Sequence, residues 1–497
     1  MPFFKTSSKS IVINALRILW VCLTVFYEIA IFRYSAASCS WPDTDLLEDN
    51  SHNVPKHVLL VADPQILDHR SYPGRPALLT YISQILVDLN LRKSWRAALG
   101  TKPDAVMFLG DMNDNGRMVM EQAEYERYIQ RFMNIFSMDS DIPRYFIPGN
   151  HDVGLGHSPL FLPHARTRYT THFGPLNNHV SIANYTFVMI DAPGLVEEDY
   201  RRHGQKKSYE NWNPRPEGTI EFLKSFAAEG NTEPTILLSH IPLSRPEGSN
   251  CGPLRERGTI RRGVGLGYQN TLGKETSLFL LERLQPTLIF SGDDHDYCDY
   301  THILDERRVR EVTVKSLSMA MGISKPGYHL LSLIPPGGPT FTHSDVPCLM
   351  PNQVGIYLSV YIPLALFSLF VVLIYNIVRG QYYQRWSLRS LHSKKESNGS
   401  ARSKHQRKPS RSRITTDEFG YTLDGDMDQT LPLPVSASVS QEPRRRIIDP
   451  FHSLTKKMCW KSKRGGFFSN FLCDVRDVTV FPLSTIFFIS LWTFIDF

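Results

Sequence analysis

The stretch RYFIPGNHDVG, residues 144–154, decides the fold of this chain. A strand-like apolar run ends at Ile147, and a Gly-Asn turn then places His151 and Asp152 just beyond the strand. Four other apolar runs end in short polar islands, at residues 63–65, 110–116, 239–240 and 292–295. Because the carboxyl ends of parallel strands meet at one edge of a sheet, the five islands are expected to converge. The sequence therefore predicts one site rich in carboxylate, amide and imidazole groups.

The order of strand and helix patterns indicates the fold class. Strands and helices alternate between residues 57 and 147, which favours parallel strands joined by helices. The later strands, near residues 311–316 and 328–334, have no helix between them and favour antiparallel pairing. We therefore predict an α/β fold, a mixed-sheet β-sandwich flanked by helices, together with two or three transmembrane helices.

Two segments have the composition of membrane spans. Residues 18–32 are apolar apart from Glu28, and residues 354–378 carry no charge over more than the roughly 20 residues that a span requires. The first is interpreted as an uncleaved anchor rather than a cleaved signal peptide, because its apolar run is long and no clear small-residue cleavage site follows. A third apolar run, residues 479–497, either spans the membrane or lies in its interface.

Charge predicts the orientation of these spans. Residues 379–476 contain 20 Lys and Arg against 9 Asp and Glu, in a chain whose net charge is +6. Basic loops stay on the cytoplasmic side. The predicted parts are a cytoplasmic stub and first anchor (1–33), a lumenal domain (34–352), a transmembrane helix (353–378), a basic disordered cytoplasmic segment (379–477) and a C-terminal hydrophobic segment (478–497). The basic segment has the composition of a solvated tail, so no nucleic-acid partner is expected.

Cysteine usage agrees with a lumenal domain. Cys39, Cys251, Cys298 and Cys348 fall in the part assigned to the oxidising side, and an even number permits two disulfides. The sequence leaves their pairing open, and free thiols are the alternative. Asn184 begins a glycosylation sequon on the same side, which predicts a glycoprotein if the strand-like stretch around it is accessible.

The five islands contain the donors that hard divalent ions prefer. Two such ions held about 3.5 to 4 Å apart can clamp a phosphoryl group and generate hydroxide from water. The islands resemble the calcineurin-like metallophosphoesterases, whose pattern is D-x-H, G-D-x-x-D-x-G, G-N-H-D, a lone His and G-H-x-H. The resemblance implies two divalent metal ions. It assigns the first ion to Asp63, Gln65, Asp111 and His295, and the second to Asp111 as a bridge with Asn150, His240 and Asp293.

The same resemblance implies catalytic roles for His151 and Asp152. His151 would lie near the leaving-group oxygen as a proton donor or transition-state stabiliser, oriented by Asp152. Two positions depart from the family pattern, because Gln65 and Asp293 both replace histidines. Oxygen donors at these positions favour manganese or magnesium over zinc. An inactive, degenerate site is the alternative interpretation of these two changes.

A closer resemblance follows from ADPQ (62–65), GDMNDNGR (110–117), PGNHDVG (148–154), SHIPL (239–243) and SGDDHDYC (291–298). With the flanking spans, these motifs look like the phosphoesterases that remodel GPI glycans in the endoplasmic reticulum, a group with fungal cell-division-control and Ted-type members and a mammalian post-GPI-attachment member. The resemblance implies removal of ethanolamine phosphate from a mannose, with manganese as the expected metal.

The resemblance also implies partners and a location. The expected partners are GPI-anchored proteins or the GPI glycolipid as substrate, the membrane itself and cargo-transport receptors. The expected location is the membrane of the endoplasmic reticulum, with the Golgi as an alternative, in a multi-pass chain whose catalytic domain is lumenal. The arginines of residues 241–272 are interpreted as a mobile lid that reaches an anionic phosphodiester, against the alternative of a solvated basic loop.

Two other functional classes remain open. One is a membrane-anchored phosphatase that acts on phosphoproteins or on another lipid or nucleotide phosphoester. The other is a non-catalytic cargo or scaffold protein that retains a vestigial site.

Overall fold

The computed structural model describes residues 3–43, 54–334, 342–399 and 466–495. Its helices are α1 (Phe3–Val25), α2 (Ile31–Ala37), α3 (Ala77–Leu99), α4 (Gln122–Ile135), α5 (Asn150–Val153), α6 (Ala165–Phe173), α7 (Ala192–Gly204), α8 (Thr219–Glu229), α9 (Lys274–Leu284), α10 (Gln353–Ile356), α11 (Ile362–Gly399) and α12 (Phe467–Ile495). π-Helical turns at Phe26–Ala30 and Tyr357–Tyr361 join α1 to α2 and α10 to α11.

The strands of the described residues follow the same chain order. They are β1 (Lys56–Val61), β2 (Ala105–Phe108), β3 (Arg144–Phe146), β4 (Asn178–Ile182), β5 (Tyr185–Ile190), β6 (Thr235–Ser239), β7 (Val264–Gly265), β8 (Tyr268–Gln269), β9 (Leu288–Ser291), β10 (Cys298–Leu304), β11 (Arg307–Thr313), β12 (Gly327–Ile334) and β13 (Thr342–Leu349).

Two mixed sheets form the body of the domain. One has the order β13-β12-β1-β2-β3 and the other the order β10-β11-β9-β6-β5-β4, while β7 and β8 form a separate hairpin. The pairs β1–β2, β2–β3, β5–β6, β6–β9 and β9–β11 are parallel, and the pairs β1–β12, β12–β13, β10–β11 and β4–β5 are antiparallel. The predicted α/β mixed-sheet sandwich is confirmed.

Alternation of side chains along each strand builds the three layers of the core. Leu60 and Met107 face Phe187 and Phe290 between the sheets. On the outer face of the first sheet, residues such as Phe108 pack against helices α3 and α4, and the second sheet is covered in the same way by α7, α8 and α9. Because both faces of each sheet are buried, the central strands read as continuous apolar runs rather than alternating ones.

Several elements escaped the sequence analysis, among them β10, β13 and helix α7. β10 and β13 lie at sheet edges, and β13 (THSDVPCL) is polar and contains Pro347, which is typical of an edge strand. The first turn of helix α7 contains Pro193 and Gly194, a pair of residues that in a sequence usually indicates a turn. Asp191 caps this helix by accepting a hydrogen bond from the Gly194 amide at 2.8 Å, and proline is well placed in a first helical turn.

Within the described residues, three helical segments are long and apolar enough to cross a membrane. They are Ile11–Ala37, Gln353–Arg389 and Phe467–Ile495. The helices extend beyond the expected boundaries, because the second continues past residue 378 to Gly399 and the third begins at Phe467 rather than at residue 478. Most of the basic segment, residues 400–465, lies outside the described residues.

Contacts of the spans are described separately for the two compact units of the chain, Met1–Leu366 with Thr479–Phe497, and Phe367–Val478. In the first unit, Glu28 is buried and contacts Lys93 of α3, and it accepts hydrogen bonds from Gln353 (3.1 Å) and Tyr361 (2.9 Å). In the second unit, Asn376 donates to Asp474 at 3.2 Å. A carboxylate within an apolar helix is tolerated when it is paired in this way, so Glu28 ties the first span to the domain.

Two disulfides form between the four cysteines of the domain. Cys39 pairs with Cys348 and Cys251 pairs with Cys298. The first joins the end of the first span to the strand that leads into the second. Asn184 is exposed in the tight turn between β4 and β5, where its φ of 62° is compatible with asparagine. The other two sequon residues, Tyr185 and Thr186, are buried in β5, so only the acceptor asparagine lies outside the strand.

Candidate metal centre

The five polar islands converge where β1, β2, β3, β6 and β9 end. Left-handed backbone is required at several of these positions, since Asp63, Gln65, Asp111, Asp293 and His295 have φ between 35° and 67°. Residues other than glycine adopt this conformation at a cost, and such strain is concentrated at functional sites. These positive φ values fall in three of the five islands, those at residues 63–65, 110–116 and 292–295.

Asp63, Asp111 and His240 form the centre of the site. One potential ligand atom from each lies within 4.8 Å of the other two, and all three residues are buried. His240 Nδ1 is 2.7 Å from the Leu109 carbonyl oxygen, to which it can donate. That hydrogen bond leaves Nε2 as the nitrogen with a free lone pair, which is the state a metal ligand needs.

The other predicted ligands of the second metal surround His240 Nε2. Asn150 Oδ1 lies 3.0 Å from this nitrogen, and Asp293 Oδ1 lies 3.5 Å from it. Asp111 Oδ1 is 3.4 Å away, so Asp111 approaches the same centre. The structure therefore brings together Asp111, Asn150, His240 and Asp293, and their ligation of a metal stays a prediction.

The predicted first metal site is less tightly assembled. Gln65 is buried, and its amide nitrogen donates to Asp111 Oδ2 at 2.8 Å, so Gln65 does face the centre. Asp63 Oδ1 accepts a hydrogen bond from the Asp293 amide at 3.1 Å. The His295 carbonyl oxygen accepts a hydrogen bond from the Ser316 amide at 2.9 Å. Burial lowers the pKa of the His295 ring, and the nearby charges of Asp293 and Asp111 oppose that shift. All seven predicted ligands thus belong to one cluster.

Two glycines make the close approach of these islands possible. A Cβ atom on Gly149 would lie 2.0 Å from Asp111 Oδ1, and a Cβ atom on Gly110 would lie 2.3 Å from His240 Nδ1. Gly110 also has a φ of 98°, which other residues rarely adopt. The glycines of the Gly-Asp and Gly-Asn pairs are therefore required by the packing of the site itself.

The electrostatics of the cluster fit a bound cation. Burial raises the pKa of Asp63 well above its usual value; His240 opposes this shift, and the nearby Asp111 and Asp293 add to it. Asp63 Oδ2 is buried and has no hydrogen-bond partner. Buried polar atoms normally have a partner, so this oxygen is free to coordinate a cation, as predicted for Asp63. The donor set, mainly oxygens with two imidazoles, suits hard divalent ions.

His151 contacts a different carboxyl residue from the one that the sequence suggested. Its Nδ1 is 2.5 Å from the Asp114 carbonyl oxygen and 3.4 Å from Asp114 Oδ1. Asp152 points elsewhere, and its carboxylate accepts hydrogen bonds from the amides of Gly149 (3.0 Å), Asn113 (3.2 Å) and Met112 (3.3 Å). The expected orientation of His151 by Asp152 is therefore wrong, because Asp152 is fully engaged in joining two of the islands.

The comparisons with known proteins agree with this geometry. The family model for calcineurin-like phosphoesterases matches residues 56–297. Cell division control protein 1 of Saccharomyces cerevisiae is 34% identical over 360 residues, which cover 68% of this chain and 70% of that protein. This chain belongs to the calcineurin-like phosphoesterases. The Metallophosphoesterase 1 homolog of Drosophila melanogaster is 25% identical over 63% of this chain and 82% of its own length. A dimetal phosphatase from Danio rerio matches at 15% identity over 59% of this chain and 98% of that chain, with a TM-score of 0.35.

Membership confirms a metal-dependent phosphoesterase, with two divalent ions in its active site. Such ions polarise a phosphoryl group and lower the pKa of bound water. In this phosphoesterase Asp111 lies between the two groups of predicted ligands, and its Oδ1 accepts the His151 amide at 2.8 Å. The main-chain amide of His151 therefore holds the Asp111 carboxylate, which is predicted to bridge the two metal ions. The same hydrogen bond places the His151 ring beside that carboxylate.

Arg117 is a functional candidate that the sequence analysis did not assign. Its Nε and Nη1 atoms are buried without a hydrogen-bond partner, and its guanidinium lies 5.5 Å from the centre of the Phe161 ring. Burial lowers its pKa, while the charges of Asp111, Asp114, Asp152 and Asp293 oppose that shift. A guanidinium with two free N–H donors, close to the carboxylates of the site, is suited to contact phosphoryl oxygens. In the sequence, Arg117 could have been selected as a candidate because it is the last residue of the GDMNDNGR motif.

The interpretation of residues 241–272 as a mobile lid is wrong for the first part of that segment. Arg245 is buried and contacts Glu311 at 2.8 Å, and Arg255 contacts Asp294 at 2.6 Å. The Cys251–Cys298 disulfide and two amide hydrogen bonds to Asp296 hold the same loop. These arginines compensate buried carboxylates and hold the loop against the domain, and so they are not available to a phosphodiester.

The hairpin of β7 and β8 forms a wall of the site. Asn150 Nδ2 donates to the Gly267 carbonyl oxygen at 2.8 Å, so the tip of the hairpin directly supports a predicted metal ligand. Gly267 has a φ of 79°, and a Cβ atom there would lie 2.9 Å from Phe161. The second half of the 241–272 segment thus belongs to the active site, although through its backbone rather than through its arginines.

We predict that Asp111→Asn abolishes hydrolysis, because the neutral amide removes the charge that both predicted metal sites share. Metal content of the purified full-length protein, measured by atomic emission, should fall together with the rate on bis(p-nitrophenyl) phosphate. Full activity in a folded Asp111→Asn protein would exclude a two-metal mechanism centred on this residue.

His151→Ala and Asp152→Ala should have different effects. His151→Ala should keep its metal and its melting temperature while kcat falls by about 10²- to 10⁴-fold, the usual contribution of a positioned proton donor. Asp152→Ala leaves three buried amides without an acceptor, at a cost of about 1 to 3 kcal/mol for each, so its melting temperature should fall. Loss of metal and a lower melting temperature in His151→Ala, with neither change in Asp152→Ala, would indicate that His151 is a metal ligand.

Proposed function

We propose that this phosphoesterase removes an ethanolamine-phosphate side branch from a mannose of the GPI-anchor glycan. The observation that carries the proposal is the position of the metal centre in a domain joined to apolar helices at both ends. Residues 54–349 lie between the candidate spans Ile11–Ala37 and Gln353–Arg389, and Cys39–Cys348 cross-links the two connections. A domain tethered in this way gains effective concentration toward a substrate in the same membrane.

A cleft along the β7–β8 hairpin, whose tip contacts Asn150, supports a glycan substrate. It has a volume of about 300 Å³ and lies between the residues that follow the GNHD island and the β7–β8 hairpin. The Tyr268 ring folds over Gly265, and 46% of Tyr268 remains exposed. Tyr200 donates to Gln269 at 3.0 Å along the same cleft. Aromatic faces combined with a few fixed polar groups suit a sugar ring, which has apolar faces and polar edges.

The proposal includes manganese as the metal and Arg117 as a contact for the phosphoryl oxygens. Asp293 and Gln65 place oxygen donors where the family pattern has histidines, which supports a harder ion than zinc. His151, held by Asp114, would protonate the leaving oxygen of the mannose. GPI-anchored proteins or the GPI glycolipid would be the substrates, and cargo-transport receptors would act with the product.

The decisive assay uses the full-length protein in nanodiscs with manganese. A GPI glycan that carries ethanolamine phosphate should lose that group, as mass spectrometry of the glycan would show. The same preparation on p-nitrophenyl phosphate and on bis(p-nitrophenyl) phosphate tests the alternative phosphatase function. Hydrolysis of the small esters without any change in the glycan would reject the GPI substrate and retain the phosphoesterase.

We predict that Tyr268→Ala raises KM for the glycan by about 2- to 10-fold, as expected for the loss of an aromatic contact of about 0.5 to 1.5 kcal/mol. Tyr268→Phe keeps the ring and should retain nearly normal KM. Neither variant should change kcat/KM for bis(p-nitrophenyl) phosphate, which has no sugar ring to pack on Tyr268. An equal loss on both substrates would show that Tyr268 supports the metal centre instead.

We also propose an endoplasmic-reticulum membrane location with the catalytic domain in the lumen and the basic segment in the cytoplasm. Two disulfides in the domain support the oxidising side. Protease added to sealed microsomes should trim the segment around residues 400–465 and spare residues 54–349. Digestion of the catalytic domain with protection of the basic segment would reverse the orientation and remove the domain from a lumenal substrate.

A further inference from the structure

The first half of helix α3 has an apolar face that no described part of the chain covers. Leu78, Ile82 and Leu86 are 68%, 42% and 37% exposed. Their spacing of four residues places them on one side of the helix, and we call them the α3 stripe. Residues 77–87 contain no charged side chain. A solvent-exposed helical face of this length normally carries charged residues, so the stripe indicates a partner.

The second half of the same helical face is covered by candidate membrane spans. Leu89 is buried, and Lys93 contacts Glu28 and lies 5.5 Å from the Phe32 ring centre. Arg96 donates to the Thr493 carbonyl oxygen at 2.8 Å. Positions 78, 82, 86, 89, 93 and 96 follow one line along the helix, so the uncovered stripe continues the surface that the spans occupy.

We infer that the α3 stripe lies against the lipid bilayer, as an in-plane extension of the membrane contact made by the spans. A bilayer surrounds the helices that cross it. The face of α3 that packs against those helices in its second half is therefore directed toward lipid in its first half. Lys93 and Arg96 then lie at the interface, where long basic side chains and aromatic rings collect, and Arg96 is 5.8 Å from the Trp492 ring centre. An uncharged helical face beside basic residues is the composition of an interfacial helix.

This contact would set the position of the active site over the membrane. Residues 64–76 join the metal centre to α3, and Ile66 pairs with Asn113 while Asp68 accepts a hydrogen bond from Asn115 at 2.9 Å. The start of α3 is therefore coupled to the island that carries Asp111. The inference holds for any phosphoester borne by a lipid and does not depend on ethanolamine phosphate as the leaving branch.

Photo-crosslinking in the full-length protein tests the contact directly. p-Benzoylphenylalanine replaces Ile82, and the protein in nanodiscs is irradiated and analysed by mass spectrometry of its peptides. Phe487, 61% exposed in a candidate span, is the positive control, and Glu306, exposed in the turn between β10 and β11, is the negative control. We expect lipid adducts at positions 82 and 487 but none at 306. A protein adduct at position 82, or no adduct there, would overturn the inference.

A matched pair of variants gives a second readout, which rests on the proposed function. Ile82→Gln should lower the rate on a phosphodiester glycolipid in vesicles by about 3-fold or more, because it weakens the lipid contact. Ile303→Gln, a change at a 72% exposed isoleucine of β10, should have no effect. Both variants should hydrolyse soluble bis(p-nitrophenyl) phosphate normally. Equal rates of the two variants on vesicles would count against the lipid contact, whereas inactivity of every form on the glycolipid would reject only the proposed substrate.

Discussion

The burial of Asp63 and Asp111 against His240 is the constraint on which the rest of the structure depends. All three residues are almost inaccessible to solvent, and the mutual repulsion of the carboxylates cannot be relieved by water. Charges in such a position require a compensating cation or a change of protonation. The left-handed backbone of the islands, the missing side chains at Gly110 and Gly149, and the unpartnered oxygen of Asp63 all follow from holding these groups close enough to share metal ions.

Much of the fold and of the candidate site could be predicted from the sequence because the islands combine two independent signals. Each island ends a strand, and each carries a donor type that metals use, so their order along the chain predicts their convergence in space. The strands at the sheet edges that were not predicted carry neither of these two signals in the sequence. β13 is polar and contains Pro347, and its pairing with β12 depends on tertiary contacts that no local pattern reveals.

Side-chain partners were harder to predict than positions. Asp114 and Asp152 are both acidic, both close in sequence to predicted ligands and both adjacent to His151 in the fold. Only the turn geometry decides that the Asp152 carboxylate accepts three main-chain amides while Asp114 contacts the imidazole. The same limit applies to the arginines of residues 241–272, since composition cannot distinguish a basic lid from cations paired with buried carboxylates such as Glu311 and Asp294.

The ion pairs of Arg245 and Arg255 limit the ways in which this phosphoesterase can select its substrate. The part of the loop fixed by Cys251–Cys298 and by the Arg255–Asp294 ion pair is held against the domain, so this part can contribute to recognition only as a surface that is already formed. Two other preformed surfaces are the cleft beside Tyr268 and the guanidinium of Arg117, whose Nε and Nη1 atoms have no hydrogen-bond partner. A preformed site avoids the entropic cost of ordering a loop over the substrate, so the rigidity of this part of the loop favours binding without closure.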